Sequence, residues 1–393
     1  VTFFINWQIT PVTGWGNYGA QLALGLLNRK RPVFAMAVDH LTQYPPLVRT
    51  PLSRVGDWRA MRQGGMQAIG VRTALMAAGN GGAIGGPPEG VVAGSTSCAI
   101  FFEDTHWTQE QLDALAKYDH VVAGSTWNAE FLRAKGLTNV VTVIQGVNPV
   151  DWHPAPKDSA FHGRFAIFSG GKLEFRKGQD IVIAAFRKFR LKHPEALLVT
   201  AWQNVWPQTM VGMDLGGHAA GLPKVTPDNR ADITGWLEKN GIPRTACIDV
   251  GLIANGSMPN IVRACDLAVF PNRAEGGTNL VAMECIAAGV PTICAMNTGQ
   301  LDLRAWCTPL EEQGPVPDGC PLYRATDGWG ETDVAELLDA LEYEYHTWKH
   351  QELARREAAR VRALQFIAAH DWQRVAIPKL LDLIEPAKRQ EAA

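Results

Sequence analysis

The chain has 393 residues, of which 46% are hydrophobic and 19% charged, and its formal net charge is −2. That composition belongs to a folded protein of two or three domains. It excludes a disordered chain, and the near-neutral charge excludes a general polyanion binder, so no nucleic-acid partner is expected. Seven cysteines are spread from Cys98 to Cys320 with no C-x-x-C pair, which points to reduced thiols in a cytoplasmic protein, not to a disulfide framework. No apolar run approaches the roughly 20 residues of a membrane helix, so no transmembrane segment is expected. The apolar start, Val1 to Ile5, is short and lacks a basic flank, and is read as a strand and not as a leader.

In chain order, that first strand is followed by a glycine-bearing loop, Pro11 to Gly19, and a leucine-rich helix through Leu27. A loop of this kind between a first strand and helix admits a ligand or simply turns tightly. Val33–Val38 is a second strand, and residues 78–90 carry too much Gly and Pro for a regular element. Cys98–Phe102 reads as a buried strand ending at Glu103-Asp104-Thr105-His106. Ligands sit at the C-terminal ends of strands in open parallel sheets, which makes His106 and Asp104 candidates; the alternative is that Asp104 or Thr105 caps the next helix. Strands at 121–126 and 140–144 around a helix at 128–135 complete one α/β unit of about 150 residues. A proline-bearing linker spans 145–164.

A second β-α series begins with the strand Phe165–Ser169 and the loop that carries Lys172, Arg176 and Lys177. Three cations at a strand's C-terminal end suit a diphosphate. A helix at 181–189 and strands at 196–201 and 247–252 follow, with 203–245 irregular. The stretch from Asp266 to Glu284 is the most informative. Asp266–Phe270 is a buried strand, Gly276-Gly277 allow close backbone approach, and Thr278 or Asn279 caps a helix that stops at Gly289. Glu275 and Glu284 therefore flank a helix N-terminus whose free N–H groups favour an anion. Two acceptor-only carboxylates can each hold a pair of hydroxyls. The arrangement suits a sugar-nucleotide.

These motifs resemble the retaining nucleotide-sugar glycosyltransferases of family 4, also called glycosyl transferases group 1. The resemblance rests on Ser169-Gly170-Gly171-Lys172-Leu173 with Lys177-Gly178, on Asp266-Leu267-Ala268-Val269-Phe270-Pro271, on Glu275-Gly276-Gly277-Thr278-Asn279-Leu280 with Glu284, and on Gly289-Val290-Pro291-Thr292-Ile293. Looser matches lie at Val122-Ala123-Gly124-Ser125 and Val143 to Asn148. The resemblance implies the α/β GT-B fold, two Rossmann-like domains with parallel sheets facing across a cleft. It implies an N-terminal acceptor domain over 1–155, a donor domain over 156–365, and C-terminal helices over 366–393 that cross back to the first domain.

It also implies residue roles. Lys172 and Lys177 match the cations on the donor diphosphate, with Arg176 beside them. Glu275 matches the carboxylate on the donor sugar, Glu284 the one on the ribose, and Gly276, Gly277, Thr278, Asn279 and Leu280 the helix start that meets the diphosphate. His106 resembles the first-domain residue near the reacting carbon, and Gly16 the first glycine loop. The implied donor is a nucleotide-diphosphate sugar serving as co-substrate, with no further cofactor and no metal. The acceptor is a sugar, a lipid-linked molecule or a protein. Two features depart from the family: eight residues separate Glu275 from Glu284 where seven are usual, and Lys172 stands where Arg is usual, giving a point charge instead of a planar fork. A non-catalytic sugar-nucleotide binder and a GT-B nucleotide-sugar epimerase are the alternatives. The basic runs Arg29-Lys30-Arg31 and Arg187 to Lys192 offer contact with the inner face of a membrane, or solvated helix faces.

Overall fold

The computed structural model describes residues 2–80, 85–157 and 160–384. Val1, residues 81–84 of the expected loop, 158–159 of the expected linker and 385–393 of the expected C-terminal helices lie outside the described residues. Short apolar runs covered on both faces become parallel strands. In the first half these are β1 (Phe3–Ile9), β2 (Val33–Val38), β3 (Gly56–Asp57), β4 (Ile69–Ala78), β5 (Val91–Ile100), β6 (His120–Ala123) and β7 (Val140–Thr142), in the spatial order β3-β2-β1-β4-β5-β6-β7. In the second half they are β8 (Phe165–Gly170), β9 (Ala196–Ala201), β10 (Cys247–Asp249), β11 (Leu267–Phe270), β12 (Thr292–Ala295) and β13 (Thr308–Leu310), in the order β10-β9-β8-β11-β12-β13. Neighbours in both sheets run parallel.

Both sheets therefore reverse their strand order beside their first strand, between β1 and β4 and between β8 and β11. The crevice outside the carboxyl ends of strands at such a switch point is where an open α/β sheet takes a ligand. The fold is the expected α/β architecture, with differences in detail. β1 runs on past Ile5 to Ile9, and β5 starts at Val91, where half-exposed polar positions obscure the apolar signal. β4 has no counterpart among the expected strands, because Ala-rich Thr73–Ala78 carries no strand periodicity. The irregular stretch after β9 contains a helix at Ile233–Lys239. The long C-terminal helix spans Val334–His370, starting well before the expected 351, and breaks at Gln351, where φ is −138°.

Two chain crossings join the halves, and they lie side by side. The Val147 N–H donates to His370 O at 2.7 Å, and the Trp372 N–H donates to Val147 O at 3.1 Å. Gly146 makes this approach sterically feasible, since a Cβ there would stand 2.7 Å from both His370 O and Trp372 N. Beyond the crossing, helix Ile377–Ile384 turns its Ile377, Leu380 and Leu381 into the core of the first half, against the β1 and Gly14–Asn28 helix side chains. Trp372 is 2% exposed and packs 5.0 Å from the Tyr18 ring. Trp372→Ala should lower stability by about 3–5 kcal/mol through the cavity it leaves, read as a lower midpoint in chemical denaturation.

Candidate functional site

A cavity of about 720 Å³ lies between the two halves, within the range typical of small-molecule sites. Its second-half wall is built at the β8–β11 switch point. The loop after β8 supplies Lys172, Arg176 and Lys177; the loop after β11 supplies Glu275 and Gly277; the helix Leu280–Ala287 supplies its first turn and Glu284.

Asn279 caps that helix in the left-handed region (φ 57°), its side-chain oxygen accepting from the Ala282 N–H at 3.3 Å while its amide donates to Gln300 at 2.9 Å. A non-glycine residue held there costs energy that the surrounding bonds must offset, and such strain concentrates at binding sites. The cap leaves the Leu280 and Val281 end of the helix facing the cavity, with backbone N–H groups that the helix itself does not use. An anion fits that position.

The charges are arranged around Arg176. Its guanidinium meets Glu174 at 2.8 Å, Glu275 at 3.0 Å and Glu103, from the other half of the molecule, at 3.3 Å. Lys177 donates to Glu275 at 2.5 Å, and Asn272 donates to the same carboxylate. Lys172 pairs with Glu174 at 2.7 Å but keeps a side chain 46% exposed. Burial works against ionising Glu174, yet Arg176 and Lys172 outweigh it and hold its carboxyl near 2. Glu275 follows the same pattern: burial opposes its charge, and Lys177 and Arg176 keep it below the usual range. Arg176 is thus committed to carboxylates, whereas Lys172 is the cation with the most exposed reach into the cavity.

Glu284 is set differently. It is 4% exposed and accepts from Asn255 at 2.7 Å. Burial pushes its carboxyl up to about 8, with the Asn255 bond pulling the other way and Asp151 adding to the rise.

The expected residues divide as follows. Lys172, Arg176, Lys177, Glu275, Gly277, Asn279, Leu280 and Glu284 all line the one cavity. Gly276 and Thr278 do not. A Cβ at Gly276 would lie 2.5 Å from Phe102 O, so its missing side chain serves contact between the halves; Thr278 is buried with its hydroxyl 2.9 Å from Met283 Sδ. Gly16 packs its backbone against Thr10, where a Cβ would stand 2.2 Å from the carbonyl oxygen. His106 is exposed and outside the cavity lining. Its neighbours explain this. Asp104 accepts from the Arg324 and Ala325 N–H groups at 3.2 and 3.1 Å, and the Thr105 hydroxyl donates to Asp327 at 2.7 Å. These bonds use the segment to fasten the halves and turn His106 outward.

Glu103 reaches the cavity instead, accepting from the Gly276 N–H at 3.3 Å and from Asn80 at 3.0 Å. Its signal in the sequence was its place as the first polar residue after the β5 run. Asn255 and the aromatic wall described below carried no such signal. Among the described residues, Asp180, His218 and Glu331 form a cluster with metal-ligand spacing. Arg273, 0% exposed, fills it with bonds to both carboxylates, including 2.8 Å to Asp180.

Because Glu284 holds its proton well above the value near 4.5 of a free Glu, stability falls as pH rises from about 4.5 to about 8 and is flat beyond. Glu284→Gln keeps the Asn255 bond and removes that slope, so its advantage over the parent should grow by up to about 1.4 kcal/mol per pH unit. Denaturation curves at pH 5, 6.5 and 8 without ligand check this; parallel curves would contradict it.

No protein-family model and no curated protein matches this chain. Solved structures do match over nearly full length. Sucrose-phosphate synthase from Thermosynechococcus elongatus shows 15% identity over 96% of this chain and 97% of that one, with a TM-score of 0.61. Anabaena HepE, solved in complex with UDP-glucose, shows 14% identity over 97% and 99%, also with a TM-score of 0.61. WaaG, a glycosyltransferase involved in lipopolysaccharide biosynthesis, shows 13% identity over 98% and 99%, with a TM-score of 0.59. At such identities the likeness is one of fold: this chain has the GT-B fold, two Rossmann-like domains facing each other across a cleft.

Proposed function

We propose that the protein is a retaining glycosyltransferase that moves a sugar from a nucleotide-diphosphate sugar to an acceptor. The observation that carries this is the convergence, at one switch point, of an exposed cation, a strained helix cap and two buried carboxylates, Glu275 bonded to cations and Glu284 to an amide. Lys172 and the Leu280 end of the helix receive the diphosphate. Glu284, beyond the helix start, takes the ribose hydroxyls, and Glu275 takes the sugar. HepE's complex with UDP-glucose makes a uridine donor the first to test. Retention rests on the resemblance to family 4. The division into a 1–155 acceptor domain, a 156–365 donor domain and returning helices from 366 belongs to the same proposal.

The chemistry follows from charge. Breaking the anomeric C–O bond leaves negative charge on the departing diphosphate. Cations and helix N–H groups already aimed at that position stabilise the charge without reorganising. Lys177 shares its charge between Glu275 and an arriving phosphate, so donor arrival loosens the Lys177–Glu275 pair and leaves Glu275, still held by Arg176 and Asn272, better able to accept the sugar's hydroxyls. This coupling links phosphate binding to sugar binding through the Lys177–Glu275 ion pair. No metal is assigned a part in this scheme.

The test is a melting-temperature panel of UDP, GDP, ADP and UDP-glucose, followed by assay of sugar release or transfer. A ligand at 100 times its Kd adds about 2.7 kcal/mol to stability. One nucleotide should stabilise the parent, and Glu284→Ala should lose the response. UDP-glucose stabilisation without turnover would favour the non-catalytic alternative. A panel in which no nucleotide shifts the melt would overturn the donor site itself.

A further inference from the structure

The cleft segregates its charge. Among the described residues, the three cations that line it come from the second half, while the opposite wall is largely aromatic and carries no cation. Trp7, Trp15, Tyr18 and Phe101 line that wall as one cluster. The Trp7–Trp15 and Trp15–Phe101 centroids are 5.2 and 5.0 Å apart, both edge to face, and Trp7 stacks on Tyr18 at 5.7 Å. Trp15 and Phe101 are half-buried, so these rings keep surface toward the cavity. The wall is held rigidly: the Trp7 indole N–H donates to Trp15 O at 2.8 Å, and Trp372 backs Tyr18.

Polar groups on this wall are amides, chiefly Gln8 and Asn17. Behind Gln8, Asp39 bonds both to Gln8 and to Arg59, which spends that cation. Among the described residues of the first half that line the cavity, the charged one is Glu103, a carboxylate already matched to Arg176. Residues 81–84, which follow Asn80 in the chain, are Gly, Gly, Ala and Ile.

We propose, on the strength of the donor site above, that this wall takes a neutral pyranoside as the acceptor, with one ring face laid on the aromatic cluster. A pyranose face presents C–H groups, with small positive charge, to the negative face of an aromatic ring, while its hydroxyls reach amides at the edge. A phosphorylated sugar is disfavoured here. Its dianion would be taken from water onto apolar rings beside Glu103, with no counter-charge on that wall. The wall therefore selects for uncharged acceptors by the cost of burying charge.

Saturation-transfer NMR on the full chain tests this, with phenyl β-D-glucopyranoside, maltose and glucose 6-phosphate as probes, with and without UDP. The glucosides should receive saturation on their ring protons and glucose 6-phosphate should not. Trp15→Ala should abolish the glucoside signal, and Trp15→Phe, which keeps a ring, should restore it. Asn17→Lys leaves the rings in place and adds a cation, and it should raise the glucose 6-phosphate signal at least several-fold. Binding of glucose 6-phosphate to the parent as strongly as maltose would overturn the proposal, as would glucoside binding that survives Trp15→Ala. The nucleotide melting panel reports separately on the donor site. A failed panel with glucosides still bound on the wall would remove the donor reading alone.

Discussion

The structure depends on neutralising one buried guanidinium. Arg176 is 6% exposed, and a cation so placed must be surrounded by carboxylates or it would not remain inside. Glu174 and Glu275 come from its own half, but Glu103 comes from the other. The ion cluster is therefore also a joint between the halves. Removing any member leaves buried charge of one sign, which ties the assembly of the cleft to the assembly of the site.

Around that joint the halves are fastened by bonds that use backbone more than side chain. The Ser125 hydroxyl donates to Gly276 O at 2.7 Å, the Trp329 indole N–H donates to Glu103 O at 2.9 Å, and the Thr105 N–H donates to Ala325 O at 3.0 Å. Such contacts need close approach, and Gly276 permits it. The paired crossings at Val147 and Trp372 sit at the other connection. A cleft between two sheets is thus held at both its ion cluster and its strap, with the ligand space between them. Opening for exchange of ligand would require the first set to break and the strap to flex.

Protonation divides the two site glutamates by environment alone. Glu275 has cations as neighbours that lower its carboxyl, whereas Glu284 has an amide, and burial raises its carboxyl. One carboxylate is therefore held by cations, and the other by desolvation that a ligand's hydroxyls can offset. The second-half wall, with its half-exposed cation Lys172 and its unused helix N–H groups, is the wall we propose for the diphosphate. The first-half wall is an apolar surface edged by amides. The two walls differ in chemistry, which fits the proposed transfer between two substrates.

The β8 and β11 loops were legible in the sequence because their information is local. A buried apolar run, a glycine pair, a cap and a helix stop follow one another within some twenty residues, and each has a nearest-neighbour cause. That β-α-β unit puts Glu275 and Glu284, and the loop after β8 puts Lys172 and Lys177, on one cavity wall, and the α/β class follows from the repetition of such units. What local pattern could not convey is which side chains past a strand end turn toward the cleft. After β5, that choice is made by Asp104 and Thr105 bonding to a loop 220 to 222 residues away. The same long-range pairing turns His106 to solvent and Glu103 inward. Gly276 looked like a phosphate-loop glycine and proved to be a contact with Phe102. The aromatic wall likewise assembles rings from β1, the first helix and the end of β5, whose spacing in the chain has no period. Periodicity records the face an element buries, whereas the partner that face meets is set by packing between segments distant in sequence.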